Sequence, residues 1–247
     1  MFVAIEGIDG VGKTTQVAKL KQFLLSQNIN CISTKEPGGQ NSKIGMTVRE
    51  MIVNDNSIDQ ETKLLLIYAA RRHHVLETML PALESDKWVI CDRFYLSTIS
   101  YLSYTNENIN FNNLKRDAAF QANLNKVAAL HKSFAKSIMP DVTIYIKATP
   151  EESNKRISMR EEEANSYDLA GIQQKQNLCD TFDYLMESEA KRNNAGSYIV
   201  INGMQSADKV QEDIRLALSS IIESFKNKAQ STKGWYANSI FGRALLA

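Results

Sequence analysis

The stretch Gly7-Ile8-Asp9-Gly10-Val11-Gly12-Lys13-Thr14-Thr15 carries the clearest chemistry in the chain. Gly7, Gly12, Lys13 and Thr14 occupy the fixed positions of the G-x-x-x-x-G-K-[ST] pattern. Such a loop curls around an anion because Gly7, Gly10 and Gly12 permit backbone conformations that a side chain obstructs, turning successive N–H groups inward. The N-terminus of the following helix adds its partial positive charge. Lys13 can then reach β- and γ-phosphates, and the Thr14 hydroxyl can ligate Mg²⁺. At ordinary residue usage a random chain of this length shows the pattern roughly once in a hundred.

A second cluster is Asp92-Arg93, directly after the apolar run Trp88-Val89-Ile90-Cys91. A carboxylate at the end of a buried strand is where Mg²⁺ would be held beside a phosphate loop, and the neighbouring arginine is then aimed at phosphate. Arg49, Arg71 and Arg72 are further candidate anion contacts. Several guanidinium groups at one site suit a second phosphorylated substrate, which they bind with bidentate geometry.

These groups need elements to hold them. Phe2–Glu6 reads as a short buried strand and Gln16–Leu25 as an amphipathic helix. Asn30–Thr34 predicts a second strand, closed by the turn Glu36-Pro37-Gly38-Gly39. A continuous helix is expected from about Asp59 to Leu83, with Leu64, Ile67, Arg71 and His74 on one face. Trp88–Cys91 is too uniformly apolar to have a wet face, so it belongs centrally in a parallel sheet. Residues 104–112 read as a loop and 114–136 as a helix; Val142–Ile146 and Ser197–Ile201 are two more strands. Helices near 151–160 and 172–193 flank a polar, acidic stretch, and Val210, Ile214, Leu218, Ile221 and Phe225 mark a last amphipathic helix. Strands alternating with helices specify an α/β fold, a five-stranded parallel sheet between helix layers with right-handed crossovers, the three-layer arrangement of P-loop proteins. Ligands in such folds lie beyond the carboxyl ends of the strands, which gathers the Gly7 loop, the Glu36 turn and Asp92-Arg93 on one rim.

The chain of 247 residues is 43% hydrophobic and 23% charged, enough for one sizeable domain. A net charge of +1 supplies no global field toward nucleic acid or anionic membrane. The first strand begins at Phe2 without a signal peptide and no apolar run approaches a membrane span, so a cytoplasmic protein with no nucleic-acid or membrane partner is expected. Cys31, Cys91 and Cys179, widely spaced in apolar contexts, are expected as reduced, packed thiols. Adjacent His73 and His74 point in different directions on a helix, so ordinary surface or groove histidines are expected.

From Met1 to about Phe225 the chain resembles a thymidylate kinase of the bacterial type. The resemblance rests on Glu6–Thr15, Lys35-Glu36-Pro37-Gly38-Gly39, Val48-Arg49-Glu50, Tyr68-Ala69-Ala70-Arg71, and Cys91-Asp92-Arg93-Phe94 with Ser97 and Tyr101, in order and at suitable spacings. It implies transfer of the γ-phosphoryl of MgATP to dTMP, in a homodimer built from helices. Gly7 through Thr15 would cradle ATP, with Lys13 catalytic, and Thr14 and Asp92 would hold Mg²⁺. Asp9 would face the acceptor sugar near its 3′-hydroxyl, while Glu36 and Pro37 wall the acceptor site. Arg49 and Arg93 would grip the dTMP phosphate, Arg93 neutralising charge between donor and acceptor. Arg71 would hydrogen-bond the thymine edge assisted by Thr98, and Tyr101 would lie under the deoxyribose. The extra arginine would come from a lid over ATP at about 156–171, with Arg156 and Arg160 on one helical face as candidates.

The chain also departs from that family. Ile67 stands where a thymine-stacking phenylalanine is usual, and Leu102 replaces a frequent glutamine. Glu161-Glu162-Glu163 is acidic where relatives are more basic, and the helix at 172–186 lacks arginines common there. The alternatives are a kinase for another nucleoside monophosphate or a deoxynucleoside, a regulatory or partitioning P-loop ATPase, whose signature lysine would fall at Ile8, and a nucleotide-binding protein without catalysis. The kinase-like domain is expected to span 1–227. Residues 228–247, with Trp235, Tyr236, Ile240, Phe241, Leu245 and Leu246, form an extension of unassigned role.

Overall fold

Phe2–Glu6 forms the central strand β1, and all five of its residues are buried. In the computed structural model, which describes residues 1–39, 42–55, 57–160, 166–191 and 197–238, β1 is joined by β2 (Cys31–Lys35), β3 (Trp88–Asp92), β4 (Val142–Lys147) and β5 (Ser197–Asn202). The sheet is parallel throughout, in the order β2-β3-β1-β4-β5. Each fully buried aliphatic or aromatic side chain of β1 and β3 contributes roughly 1.5–3 kcal/mol by leaving water, which holds the two strands at the centre. Register then sets the rim: Asp92 lies opposite both Ile5 and Lys35, so the carboxyl ends of β1, β2 and β3 finish level.

The helices are α1 (Lys13–Ser26), α2 (Lys43–Asn54), α3 (Gln60–His74), α4 (Leu80–Glu84), α5 (Tyr95–Ser103), α6 (Ala118–Phe134), α7 (Pro150–Ser158), α8 (Ile172–Lys191) and α9 (Ala207–Asn238). The helix expected from 59 to 83 is interrupted. Asp59 caps it by accepting from the amides of Glu61 and Thr62, but residues Val75–Met79 form a π-turn in which the Leu80 amide reaches back to the Val75 carbonyl. Pro81 explains the break, since it has no N–H to donate and its ring clashes with the preceding turn of a regular helix. The helix read from 114 starts later, at Ala118, where Asp117 accepts from the Phe120 amide at 2.8 Å. Helix α9 continues past residue 227 to Asn238; Ile240, Phe241, Leu245 and Leu246 lie outside the described residues. Among the described residues no helix is long and apolar enough to cross a membrane. The three cysteines are free and buried.

His131 of α6 sits inside the core, its ring edge-on to Tyr68, Phe94 and Tyr95 at 5.0–6.2 Å. Nε2 donates to the Ile138 carbonyl at 2.7 Å, while Nδ1 is buried without a hydrogen-bond partner among the described residues. Burial, then the Arg71 charge, pushes this histidine down to about 4, so it stays neutral in the fold. An unfolded chain binds the proton first as pH falls, because its histidine titrates near 6.5. Stability from this site is therefore complete above pH 6.5 and is lost between there and about pH 4. Melting temperature is expected to fall over that window, and His131→Gln, though less stable at pH 7.5, should show a flatter pH slope; equal slopes by calorimetry would remove His131 as the cause.

Candidate active site

The loop between β1 and α1 presents its backbone to an open cavity of about 790 Å³ at the carboxyl rim. Gly12 takes a left-handed conformation (φ 89°) and no side chain caps α1, so the first-turn amides are left for an anion. Thr14 Oγ1 donates to Asp92 Oδ2 at 2.6 Å, and Asp92 Oδ1 is buried with no partner among the described residues. A hydroxyl beside a carboxylate with one unmet lone-pair set is a donor arrangement that fits a hard divalent cation. Lys35 Nζ stands 3.8 Å from the same carboxylate. Lys13 Nζ donates to the Ile8 carbonyl at 2.6 Å, folded back along its own loop. Burial, reinforced by the Arg93 charge and opposed by Asp9 and Asp92, brings Lys13 down to about 7.

Arg93 follows β3 in the left-handed region (φ 69°), a costly conformation for a side-chain-bearing residue. Its head group is held from three directions: NH2 to Asp9 Oδ1 at 2.6 Å, and NH1 to the Gly7 carbonyl at 2.8 Å and Ser97 Oγ at 3.1 Å. The guanidinium also lies 4.9 Å from the Tyr101 ring centre, and Tyr101 donates to the other Asp9 oxygen at 2.5 Å. Burial alone would raise Asp9, but the Arg93 and Lys13 charges hold its carboxyl well below the usual range. One wall is thus a single electrostatic unit that ties the phosphate loop to α5. Glu6, at the end of β1, supports it from below by accepting from the amides of Phe94 and Ser97 and from the Ser97 hydroxyl.

The opposite wall is built around Glu36. Its Oε2 accepts from Arg71 Nε at 3.1 Å, its carbonyl accepts from Arg49 NH2 at 2.7 Å, and its Oε1 meets His74 Nδ1 at 2.5 Å. Arg71 NH2 donates to Thr98 Oγ1 at 2.8 Å and the Phe94 carbonyl at 3.1 Å. Its NH1, buried, has no partner among the described residues. Gly38 packs so closely on α2 that a Cβ there would stand 2.3 Å from Gly45, which brings the Glu36 turn against the helix carrying Arg49. One cavity therefore joins the glycine loop after β1 to a second basic pocket containing Arg49 and Arg71.

This composite agrees with comparison to known proteins: the family model described as Thymidylate kinase matches residues 5–214. The chain belongs to the thymidylate kinase family. It is 34% identical over 217 residues to a thymidylate kinase of Clostridium novyi (strain NT), covering 87% of this chain and 96% of that protein. A thymidylate kinase of Thermoanaerobacter sp. (strain X514) is 36% identical over 86% of this chain and 94% of its own length. One from Mesoplasma florum is 31% identical over 92% and 99%.

Of the residues expected at a thymidylate kinase site, Asp9, Gly10, Gly12, Lys13, Thr14, Thr15, Glu36, Pro37, Arg49, Ile67, Arg71, Asp92, Arg93, Thr98, Tyr101 and Arg160 line the cavity. Gly7, Ile8 and Val11 are buried and are not among the residues that line the cavity. Arg156 is a correction. It bonds Glu152 at 2.7 Å and the carbonyls of Gly203 and Gln205 at 2.8 and 3.4 Å, clamping α7 to the turn after β5 outside the cavity. Arg156 and Arg160 do not share a helical face, because α7 ends at Ser158 and Arg160 lies beyond it, 3.4 Å from Asp168. Arg72 points away to the Phe134 carbonyl, and His74 is fully buried rather than a surface or groove residue. Glu161-Glu162-Glu163 lies outside the described residues. Sequence reasoning misses Lys35, Tyr167 and Asp168, all of which line the cavity. Only Lys35 leaves a signal, as the charged end of an otherwise apolar and hydroxylic strand. Tyr167 meets Tyr101 edge-on at 5.3 Å and reaches the Ile52 carbonyl at 3.4 Å, contacts that local sequence does not encode.

Lys13 generates a pH prediction. At pH 8 it is mainly neutral, with its value near 7, and an arriving polyphosphate stabilises the ammonium form. Binding of inorganic tripolyphosphate at pH 8 should take up a proton, and affinity should fall as pH rises from 7 to 9. Calorimetry in two buffers of different ionisation enthalpy measures the uptake; Lys13→Gln should abolish it, and equal uptake in that variant would refute the assignment.

Proposed function

We propose that the enzyme transfers the γ-phosphoryl group of MgATP to dTMP, forming dTDP and ADP for dTTP synthesis. The observation that carries this reading is the shared cavity, in which the Asp9–Arg93 ion pair connects the phosphate loop to the pocket of Arg49, Glu36 and Arg71. The phosphate loop receives ATP. An oxygen of the dTMP phosphate attacks the γ-phosphorus, the bond from that phosphorus to the β,γ-bridging oxygen breaks, and ADP leaves with the electron pair. The loose transition state needs alignment and charge stabilisation more than covalent help.

Each side chain then has a physical task. Lys13 swings from the Ile8 carbonyl to the β- and γ-phosphates. Arg49 grips the acceptor phosphate, and Arg93, between the two phosphates, offsets charge as the transferring group passes. Thr14 and Asp92 would hold Mg²⁺, which supplies charge neutralisation at the β- and γ-oxygens when bound. Arg160 at the lid is the arginine that reaches the donor side. Asp9 and Tyr101 face the deoxyribose, and Arg71, fixed by Thr98, meets the thymine edge. Ile67 packs on the base in place of an aromatic ring. Lid closure over 156–171 excludes water as a competing acceptor. The catalytic unit is 1–227 with 228–247 appended, and a cytoplasmic homodimer completes the reading on family resemblance.

A coupled ADP-release assay with MgATP and dTMP, dUMP, dCMP, thymidine or no acceptor tests it. The expected order has dTMP first, and release independent of acceptor would sink the kinase reading. Lys13→Ala should retain the fold and lose roughly 10²–10³-fold in rate, the usual cost of one transition-state charge contact. Ile67→Phe should tighten dTMP about fivefold, from an aromatic contact gain of ~1 kcal/mol; unchanged affinity by titration calorimetry would place Ile67 away from the base.

A further inference from the structure

His74 takes no part in the reaction described above, yet it is wholly buried and bonded at both ring nitrogens. It closes α3 one turn after Arg71, so both side chains leave the same helix face toward Glu36. The Glu36 carboxylate is shared between them: Oε2 accepts from Arg71 Nε at 3.1 Å, and Oε1 accepts from His74 Nδ1 at 2.5 Å. An ionised carboxylate only accepts, which assigns the Nδ1 proton to the histidine. Thr34 Oγ1, on β2, meets Nε2 at 2.6 Å and fixes the ring from the other side. Arg71 and His74 together hold Glu36 below its ordinary range despite burial, so it remains an anion facing Arg71.

This chain of contacts has one open end. Arg71 directs Nε to Glu36 and NH2 to Thr98 and the Phe94 carbonyl, and its side chain lines the cavity. If Oε1 lost its histidine, the carboxylate could turn to meet the Nε edge of Arg71 with both oxygens, drawing NH2 away from Thr98 and the Phe94 carbonyl into a bidentate pair. We infer that His74, braced by Thr34, is a positioning residue that locks Glu36 in a one-oxygen contact with Arg71 and so keeps the guanidinium in the orientation it presents to the acceptor base. The inference rests on the reading of dTMP as acceptor. It places specificity for the base carbonyl three side chains deep.

Two amide substitutions separate this role from simple packing. In His74→Asn the introduced amide nitrogen stands near the position of the lost Nδ1 and can still donate to Glu36, whereas the longer amide of His74→Gln reaches the Nε2 position and cannot. His74→Gln should raise KM for dTMP about tenfold, the usual worth of a hydrogen bond to a charged group, with KM for ATP within about twofold. His74→Asn should restore KM for dTMP to within about threefold of wild type. Unchanged KM for dTMP in folded His74→Gln, a parallel rise in both KM values, or equal damage in the two variants would overturn the proposal. Should neither His74 variant fold, as judged by melting curves, Thr34→Val carries the test: a selective rise of about threefold in KM for dTMP supports it, and no rise overturns it. Wild-type turnover of dTMP in the same series separates the two levels. Without it the acceptor assignment falls and this inference with it; with it, only the role of His74 is in question.

Discussion

The contact on which the site depends is the ion pair of Asp9 with Arg93, 2.6 Å apart and largely shielded from water. It spans two strands: Asp9 belongs to the loop leaving β1, and Arg93 to the residue that leaves β3. Shielded pairs carry a large desolvation penalty, and removing one partner strands the other charge, typically at a cost of about 3–5 kcal/mol. The protein offsets that penalty by surrounding Arg93 with the Gly7 carbonyl, Ser97 and the Tyr101 ring, and Asp9 with the Tyr101 hydroxyl. Arg93 makes these contacts from left-handed backbone. Local strain and net electrostatic gain are thus two sides of one arrangement, and its product is a fixed distance between donor loop and acceptor pocket.

The cavity also shows how a nearly neutral chain binds two polyanions. With a net charge of +1 the protein has little long-range field, but Lys13, Lys35, Arg49, Arg71, Arg93 and Arg160 line the cavity against Asp9, Glu36, Asp92 and Asp168. The surplus of cations is local, and the carboxylates keep it from dispersing the fold by self-repulsion. Each acid holds a base in place: Asp9 holds Arg93, Glu36 holds Arg71, and Asp168 faces Arg160. Lys13 and Arg71 are buried, whereas Lys35 and Arg160 remain partly exposed at the cavity.

Much of this was legible in sequence, for identifiable reasons. The strands β1 and β3 announced themselves because both faces are covered and apolar runs have no other home. The phosphate loop was legible because its glycines obey backbone geometry that no other residue meets cheaply. The rim followed from the rule for parallel sheets, which gathers strand ends without needing the strand order. What failed depended on contacts distant in sequence or on subtle helix register. Pro81 forced a π-turn that apolar periodicity passes over, and α7 ended two residues before Arg160, which split a pair that a longer helix would have kept together. Arg156 looked catalytic by type and place, but its role was decided by the Gly203 and Gln205 carbonyls, 47 and 49 residues further on. His74 looked like a surface or groove residue because nothing local reveals that Glu36 and Thr34 converge on its ring.

Arg71 shows why burial, and not charge alone, suits a recognition residue. A guanidinium in water exchanges partners freely and discriminates weakly, since a missing ligand acceptor is replaced by solvent. Arg71 is 1% exposed, packed between the Tyr68 and Phe94 rings at 5.1 and 4.7 Å, with water displaced from all but its cavity edge. On the proposed reading, a ligand carbonyl at this guanidinium gains a directional donor, whereas an amino group leaves two donors facing each other at a buried site. The penalty for the wrong edge exceeds the reward for the right one. On the proposed reading, that asymmetry preserves selectivity between pyrimidines where Ile67 packs on the base in place of an aromatic ring.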